Sequence, residues 1–113
     1  MVREPLRARR HNETLTIQSA DGAHILEVSI GFYPDGRPGE VFIVGGEMEG
    51  SLLRMLLADA AVLISIALQH GATAQEMVGT LLREPTGDAK DGITRPASPL
   101  GAVLEILANK EKP

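Results

Sequence analysis

The stretch of residues 51–70, SLLRMLLADAAVLISIALQH, constrains the fold more than any other part of the chain. A helix that is apolar on nearly every side belongs in a protein core or in a bilayer. A bilayer span needs roughly 20 apolar residues with few or no charges. Here the uncharged run after Asp59 lasts only to Leu68. The sequence therefore predicts a core helix and no membrane span.

The size of the chain makes this helix difficult to cover. A sequence of 113 residues is expected to form one domain with a modest core. A domain of that size rarely covers all sides of a long apolar helix. We therefore expect a homo-oligomer in which a second copy helps to bury the segment between Leu52 and Leu68, with the number of subunits left open.

Composition excludes several classes of function. The chain has no cysteine, which rules out disulfides, thiolate metal sites, thiol nucleophiles and redox dithiols. Its aromatic residues are only Phe32, Tyr33 and Phe42, too few for the stacking platforms of single-strand nucleic-acid binders. The charged N-terminus lacks the apolar segment of a signal peptide, so we expect a cytoplasmic protein.

The charge is unevenly distributed along the chain. Residues 1–10 carry four arginines and one glutamate, a net charge of +3, and since the whole chain carries −4, the remainder carries −7. Residues 1–12 are predicted to be a flexible basic arm, because they contain a proline and show no periodicity. The alternative is that the arm binds nucleic acid or an acidic partner. Nucleic-acid binding is not the main expectation.

Alternating polar and apolar residues predict three strands, at residues 14–18, 24–33 and 40–44. Asp21-Gly22 and Pro34-Asp35-Gly36 supply turn residues between them. Strands with such short connections form an antiparallel meander, which normally buries one face.

Capping signals place three helices after the strands. Ser51 and Gly71 bound the long helix, and Thr73 with Glu76 forms a capping box that opens a second helix over residues 74–83. Residues 84–97 are predicted to be a loop, and Ser98-Pro99 starts a third helix. The order β-β-β-α-α-α predicts an α+β domain over residues 13–109, with the helices on one face and a frayed tail at 110–113.

The run GFYPDGRPGEVFIVGG and the later LISIALQHGATAQEMVGTLL resemble the TSCPD domain, which forms the C-terminal part of many adenosylcobalamin-dependent (class II) ribonucleotide reductases. The resembling hairpin residues are Asp35, Gly36, Arg37, Pro38, Glu40, Phe42 and Ile43, and the helix residues are Leu63, Ile64, Ser65, Ala67, Leu68 and Gly71. The closing Ser98–Ala102 segment and the arginine arm look more like stand-alone relatives of that domain. The resemblance implies a shared fold and, at most, an accessory or nucleotide-metabolism context.

The chain departs from the reductase pattern in its chemistry. The reductase domain carries cysteines near its glycine junction and its C-terminal end, and this chain has none. Ribonucleotide reduction needs a thiyl radical and a redox-active cysteine pair, so we expect no enzyme activity of that kind. No catalytic residue carries over, and no cofactor and no metal site are expected.

Several residues are candidates for ligand binding. Asp59 is either a ligand-binding or catalytic acid or one half of a structural ion pair with Arg95, Arg37 or the Arg54 of a second subunit. The Gly45–Ser51 segment is either a phosphate cradle or a flexible turn, and its glutamates would repel a phosphate. We expect that any ligand site would include Arg37, Gly46, Arg54, Asp59 and Arg95, at the glycine junction and the loop 84–97.

Four hypotheses for function follow. The leading one is a non-catalytic, homo-oligomeric module that binds a partner or a small ligand. A second is recognition of a nucleotide or of a reductase subunit. A third is an acid–base pair of Asp59 and His70, which lie eleven residues, or roughly 16 Å, apart along a helix and would cooperate only across subunits. A fourth is binding of nucleic acid by the arginine arm.

Overall fold

The computed structural model describes residues 2–18, 25–44, 52–86 and 92–111. Strands β1 (Asn12–Gln18), β2 (Ile25–Phe32) and β3 (Pro38–Val44) form an antiparallel sheet in the order β1-β2-β3. They precede the helices α1 (Leu52–Gln69) and α2 (Ala74–Val78), a small antiparallel pair β4 (Arg83–Pro85) and β5 (Thr94–Pro96), and the helix α3 (Pro99–Lys110). The predicted α+β class, with a meander followed by three helices, is confirmed.

The core lies between the sheet and the helices α1 and α3. Alternate residues of β2 point into it, and Leu26, Val28 and Ile30 are fully buried. Residues from β3, α1 and α3 complete the same cluster: Val41, Ile43, Leu57, Ala61, Ile64, Leu68, Val103, Leu104 and Leu107. Aliphatic side chains therefore dominate this core, as the shortage of aromatic residues requires.

The capping signals predicted from the sequence are confirmed wherever the structure describes them. Gly71 has a φ of 99° and ends α1 in a Schellman motif, in which Ala72 N–H donates to Ala67 O and Gly71 N–H donates to Leu68 O, both at 3.0 Å. Thr73 and Glu76 form the capping box of α2. The hydroxyl of Ser98 accepts from Gly101 N–H at the start of α3. The proposed turn at Asp21-Gly22 and the cap at Ser51 lie outside the described residues.

Two predictions about the second half of the chain were wrong in detail. Helix α2 ends at Val78 rather than near residue 83, because Gly79 and Thr80, both weak helix formers, follow it. The predicted loop 84–97 contains the β4–β5 pair. Pro85 and Pro96 each lie at the end of a strand, where a proline removes no internal hydrogen bond of the ladder.

Helix α1 buries only one of its apolar faces. Its buried residues Leu57, Ala61, Ile64 and Leu68 recur every three or four positions and face the core. On the opposite side Leu52 and Leu63 are 69% and 68% exposed. The prediction of a core helix therefore holds for one face within a single chain.

Helix α1 also covers part of the edge of the sheet. β3 is one of the two edge strands, and the Ser65 hydroxyl accepts from Val41 N–H at 2.9 Å. Its proton faces the carbonyl oxygens of Ala61 (2.8 Å) and Val41 (3.2 Å). One turn further on, Gln69 Nε2 donates to Gly39 O at 2.9 Å. These bonds satisfy backbone N–H and C=O groups at the edge of β3 that would otherwise be available for pairing with another strand.

Replacing Ser65 by alanine tests this connection. Ser65→Ala leaves the N–H of the buried Val41 without its partner. We expect the free energy of unfolding to fall by about 1–2 kcal/mol, measured by urea denaturation. The matched control is Ser29→Ala on the open face of the sheet, whose hydroxyl contacts Thr14 at 3.3 Å. A loss no larger than that of the control would contradict the role given to Ser65.

A side-chain pair joins the first and last elements of the domain. Lys110 Nζ of α3 lies 2.7 Å from Glu13 Oε1 of β1, and His11 Nε2 lies 3.2 Å from Glu13 Oε2. The hydrogen bond from Lys110 is the main cause that lowers the pKa of Glu13 from 4.5, and the bond from His11 adds to it. The carboxylate form of Glu13 is therefore favoured in the folded state.

This lowered pKa predicts a pH dependence of stability. Because the pKa of Glu13 is lower in the folded than in the unfolded chain, its contribution is fully present above about pH 4.5 and is lost as the pH falls through the folded value. Glu13→Gln should therefore destabilise the protein at pH 7, and the difference from the native protein should shrink in denaturation experiments carried out toward pH 3. Glu105→Gln, on the exposed side of α3, is the control.

Candidate functional site

The described residues expose an apolar patch beside helix α1. We define the apolar face as Phe42 and Val44 of β3 together with the exposed residues of α1, namely Leu52, Met55, Leu56, Val62 and Leu63. A groove of about 580 Å³ runs between β3 and α1 and is lined by both Phe42 and Val62. Scattered exposed apolar residues are common, but a contiguous group on one side of a domain marks a binding surface.

Two of the residues predicted for a ligand site lie on α1. Asp59 is exposed among the apolar residues on the outer face of this helix, so in a single chain its carboxylate can remain solvated. Arg54 is half-buried and lines the groove beside β3. His70, the residue hypothesised to act with Asp59, is exposed just beyond the end of the helix.

The other predicted residues lie elsewhere. Arg95 belongs to β5, where its Nε lies 2.9 Å from Glu84 Oε1, and it lines a separate groove beside α3. Arg37 follows the β2–β3 turn and lines a third groove. Gly46 and the rest of the glycine junction lie outside the described residues. The described members of the predicted site are therefore distributed over different grooves.

Arg37 organises the β2–β3 turn. Its guanidinium lies 2.7 Å from Asp35 Oδ2 and 3.1 Å from Glu4 Oε1, and it stacks 4.6 Å from the centre of the Tyr33 ring. Hydrogen bonds from the backbone N–H and the side chain of Arg37 lower the pKa of Asp35. Through these contacts Arg37 stabilises the β2–β3 turn.

The basic arm, residues 2–11, contacts the domain at several points. Glu4 N–H donates to Gln69 O at 2.7 Å, and Arg3 Nε donates to the Gln69 side chain. The Tyr33 hydroxyl donates to Glu4 O at 2.6 Å, and burial raises the pKa of Tyr33. The first part of the arm is thus bonded to the end of α1 and to the β2–β3 turn.

Arg10 connects the end of the arm to the sheet. Its Nε lies 2.7 Å from Glu40 Oε1 of β3, and its Nη1 donates to Arg7 O. The Glu40 side chain crosses the sheet directly over Gly31, where an added Cβ would lie only 2.4 Å from the same carboxylate oxygen. Gly31 therefore provides the space in which the ion pair forms.

These contacts create a cleft that the sequence did not predict. We call it the arm cleft, and about 350 Å³ of it is enclosed by Arg7, Arg9, Arg10, His11, Phe32, Tyr33, Pro34 and Gly36. The density of arginines was visible in the sequence. Its position against the β2–β3 turn depends on long-range contacts, which no local pattern reveals.

The described residues contain no group of three His, Asp or Glu side chains placed to hold a metal ion. At the arm cleft, His11 pairs with Glu13, whose Oε2 lies 3.2 Å from the His11 Nε2. Of the two surfaces just defined, one is apolar and the other is basic.

Comparison with known families agrees with this architecture. The model of the TSCPD domain matches residues 3–109, which is nearly the whole chain. This chain belongs to the TSCPD domain family. No solved structure gave a significant match.

Relatives of this TSCPD domain occur within much longer proteins. A "Vitamin B12-dependent ribonucleotide reductase" of Rhodopirellula baltica is 34% identical over 99 residues, which is 85% of this chain and 9% of the relative. Proteins of the same name from Bradyrhizobium diazoefficiens and Agrobacterium fabrum are 36% and 33% identical, over 82% and 94% of this chain and 8% of each relative. The chain thus spans less than a tenth of the length of these relatives, and the matched region is a small domain rather than a whole reductase.

The TSCPD motif residues have structural roles here. Ser65 bonds to the edge of β3, Gly71 ends α1, and Glu40 holds Arg10. Each contact joins one element of the fold to another. The resemblance seen in the sequence is therefore explained by packing and capping, and these three residues need no catalytic role.

Enlarging Gly31 tests how the arm is held. In Gly31→Ala the new Cβ would lie 2.7 Å from Glu40 Cγ and should displace that side chain from Arg10. We expect trypsin to cleave after Arg7, Arg9 and Arg10 several-fold faster, as measured by mass spectrometry. Gly79→Ala is the control, because its nearest contact would be 3.5 Å. Equal cleavage rates in the two variants would show that the ion pair does not hold the arm.

Proposed function

We propose that this TSCPD domain is a non-catalytic accessory module that associates with a second copy of itself through the apolar face. The observation that carries the proposal is the outer side of α1, where a row of large aliphatic side chains is exposed although the opposite side is fully packed. Burial of such side chains is worth roughly 1.5–3 kcal/mol each. A partner surface that covers several of them would therefore gain substantial free energy.

The chemistry of the face supports a copy of the same chain as its partner. In a twofold pair the same patch lies on both subunits, so aliphatic residues of one α1 would meet aliphatic residues of the other. Asp59, at the middle of this helix, would lie near the rim or beside the Arg54 of the partner subunit. An interface with a few charges in an otherwise apolar patch resembles those of stable homodimers.

A membrane is the competing environment for the same helix. By length and composition α1 could cross a bilayer, but a single such helix is weak evidence because core helices of soluble proteins meet the same criterion. Here one side of α1 is packed on the sheet and bonded to β3 through Ser65. Those contacts support a protein partner for the exposed side of α1. We propose that the protein is cytoplasmic.

A substitution that introduces a charge into the apolar face should weaken association with a second copy. Leu56 and Leu63 are 59% and 68% exposed, so Leu56→Glu and Leu63→Glu should leave the folded chain intact. Each should weaken self-association by more than about tenfold, because a buried, unpaired carboxylate costs several kcal/mol. Sedimentation velocity between 1 and 100 μM, with circular dichroism to verify folding, measures the change.

The matched control is Leu82→Glu, an equal change at a residue that is 77% exposed away from the apolar face. It should sediment like the native protein. A native chain that is monomeric throughout this concentration range would overturn the proposal. Flotation of the native protein with neutral phosphatidylcholine vesicles, abolished by Leu63→Glu, would assign the face to a membrane instead.

The similarity to reductases suggests the biological setting of the module. About a tenth or less of each B12-dependent ribonucleotide reductase resembles this chain. We propose that the module acts beside such an enzyme, as a nucleotide-recognising or subunit-binding accessory. A purified B12-dependent reductase whose turnover and sedimentation are unchanged by an excess of the native chain would exclude that setting, without affecting self-association.

Binding of an anion by the basic arm is the second candidate function. The specific observation in its favour is that the fold gathers Arg7, Arg9 and Arg10 around one cleft. In an extended tail these side chains would be dispersed in solvent.

A further inference from the structure

We propose that the arm cleft binds the di- or triphosphate group of a small molecule, with Arg7 and Arg9 as the residues that contact it. This inference rests on the second candidate function above, the binding of an anion by the arm. It does not depend on association through the apolar face. The site differs from the one predicted from the sequence, since none of the described members of that set, Arg37, Arg54, Asp59 and Arg95, lines the arm cleft.

The first argument is the separation of charge. Residues 1–10 carry a net +3, whereas the rest of the chain carries −7. An anion approaching most of this surface is repelled, and the arm is the region that attracts it. Because the favourable field is local, an anion should be concentrated at the arm cleft.

The second argument is that one wall of the cleft is fixed in place. Arg10 is neutralised by Glu40 and bonded to the backbone of Arg7, so it orients the arm. The Glu40 side chain is only 12% exposed, and it lies in space left by Gly31. A bound ligand would therefore meet a wall that is already positioned, which reduces the entropic cost of binding.

The third argument is that two cations at the cleft remain available. In the described part of the chain neither Arg7 nor Arg9 forms a side-chain salt bridge, in contrast to Arg10, Arg37 and Arg95. Both are exposed at the cleft. A guanidinium presents parallel N–H donors that match two phosphate oxygens. Two such groups are matched by two phosphates, which favours a di- or triphosphate over a single anion.

The fourth argument is the shape and lining of the cleft. Its opposite wall consists of Phe32, Tyr33 and Pro34, and the His11 ring lies 5.2 Å from that of Phe32. A volume of about 350 Å³ lies at the lower end of the range for small-molecule sites. Basic groups on one wall and rings on the other suit a phosphorylated small molecule, of which a nucleoside triphosphate is one.

Isothermal titration calorimetry tests the proposal with three probes: inorganic triphosphate, ATP and a single-stranded DNA 12-mer. The native protein should bind triphosphate and ATP, and Arg9→Gln or Arg7→Gln should each weaken that binding by about tenfold. Binding should weaken as salt increases, because the two guanidinium groups are exposed. When the ionic strength is held constant, added sodium sulfate should not displace bound triphosphate or ATP.

The matched control is Arg83→Gln, which makes the same change of charge at an exposed arginine of β4. Its affinity should equal that of the native protein. Equal affinities of Arg9→Gln and Arg83→Gln would overturn the site, and so would the absence of binding to both triphosphate and ATP. Binding of the DNA at least tenfold tighter than that of ATP would overturn the assignment to a small ligand.

Sedimentation of the same samples separates this proposal from the first. Leu56→Glu should bind triphosphate with native affinity even when it is monomeric, since the apolar face does not line the arm cleft. Loss of triphosphate binding in Leu56→Glu would contradict the independence of the two surfaces. Arg9→Gln should retain the oligomeric state of the native protein.

Discussion

The fold depends on the packing of a helix with two apolar sides against a sheet that covers only one of them. Leu57, Ala61, Ile64 and Leu68 join the core, and the bonds from Ser65 and Gln69 fix α1 against the edge strand β3. The side of α1 turned to solvent is nearly as apolar as the buried side. Its outward exposure creates the apolar face, for which we propose a second copy of the chain as the partner.

Gln69 links this packing to the other end of the chain. Its side chain donates to Gly39 and accepts from Arg3, while its backbone carbonyl accepts from Glu4 N–H. The end of α1, the edge of the sheet and the start of the basic arm therefore meet at one buried amide. Such a residue is sensitive to substitution, because a buried polar group without hydrogen-bond partners destabilises the fold by its full free energy of desolvation.

The two surfaces differ in what they require of the sequence. The apolar face needs only aliphatic residues at helical spacing, whereas the arm cleft needs Gly31, Glu40 and Arg10 to be brought together across the sheet. Membership of the TSCPD family accounts for the scaffold that supports both. The proposed setting in nucleotide metabolism rests only on the name of the relatives, of which this chain spans less than a tenth.

The sequence alone determined the local structure of this protein. Alternation of residues predicted the β2 strand, and short-range hydrogen bonds at Gly71, Thr73 and Ser98 placed the helix ends, because those interactions involve neighbours along the chain. Only the tertiary structure decided which side of α1 is buried, that a proline-containing segment pairs as β4 and β5, and that the arginines of the arm gather beside Tyr33. Those outcomes depend on contacts between residues far apart in the chain, such as Arg10 with Glu40 and Ser65 with Val41, whose free energies no local pattern encodes.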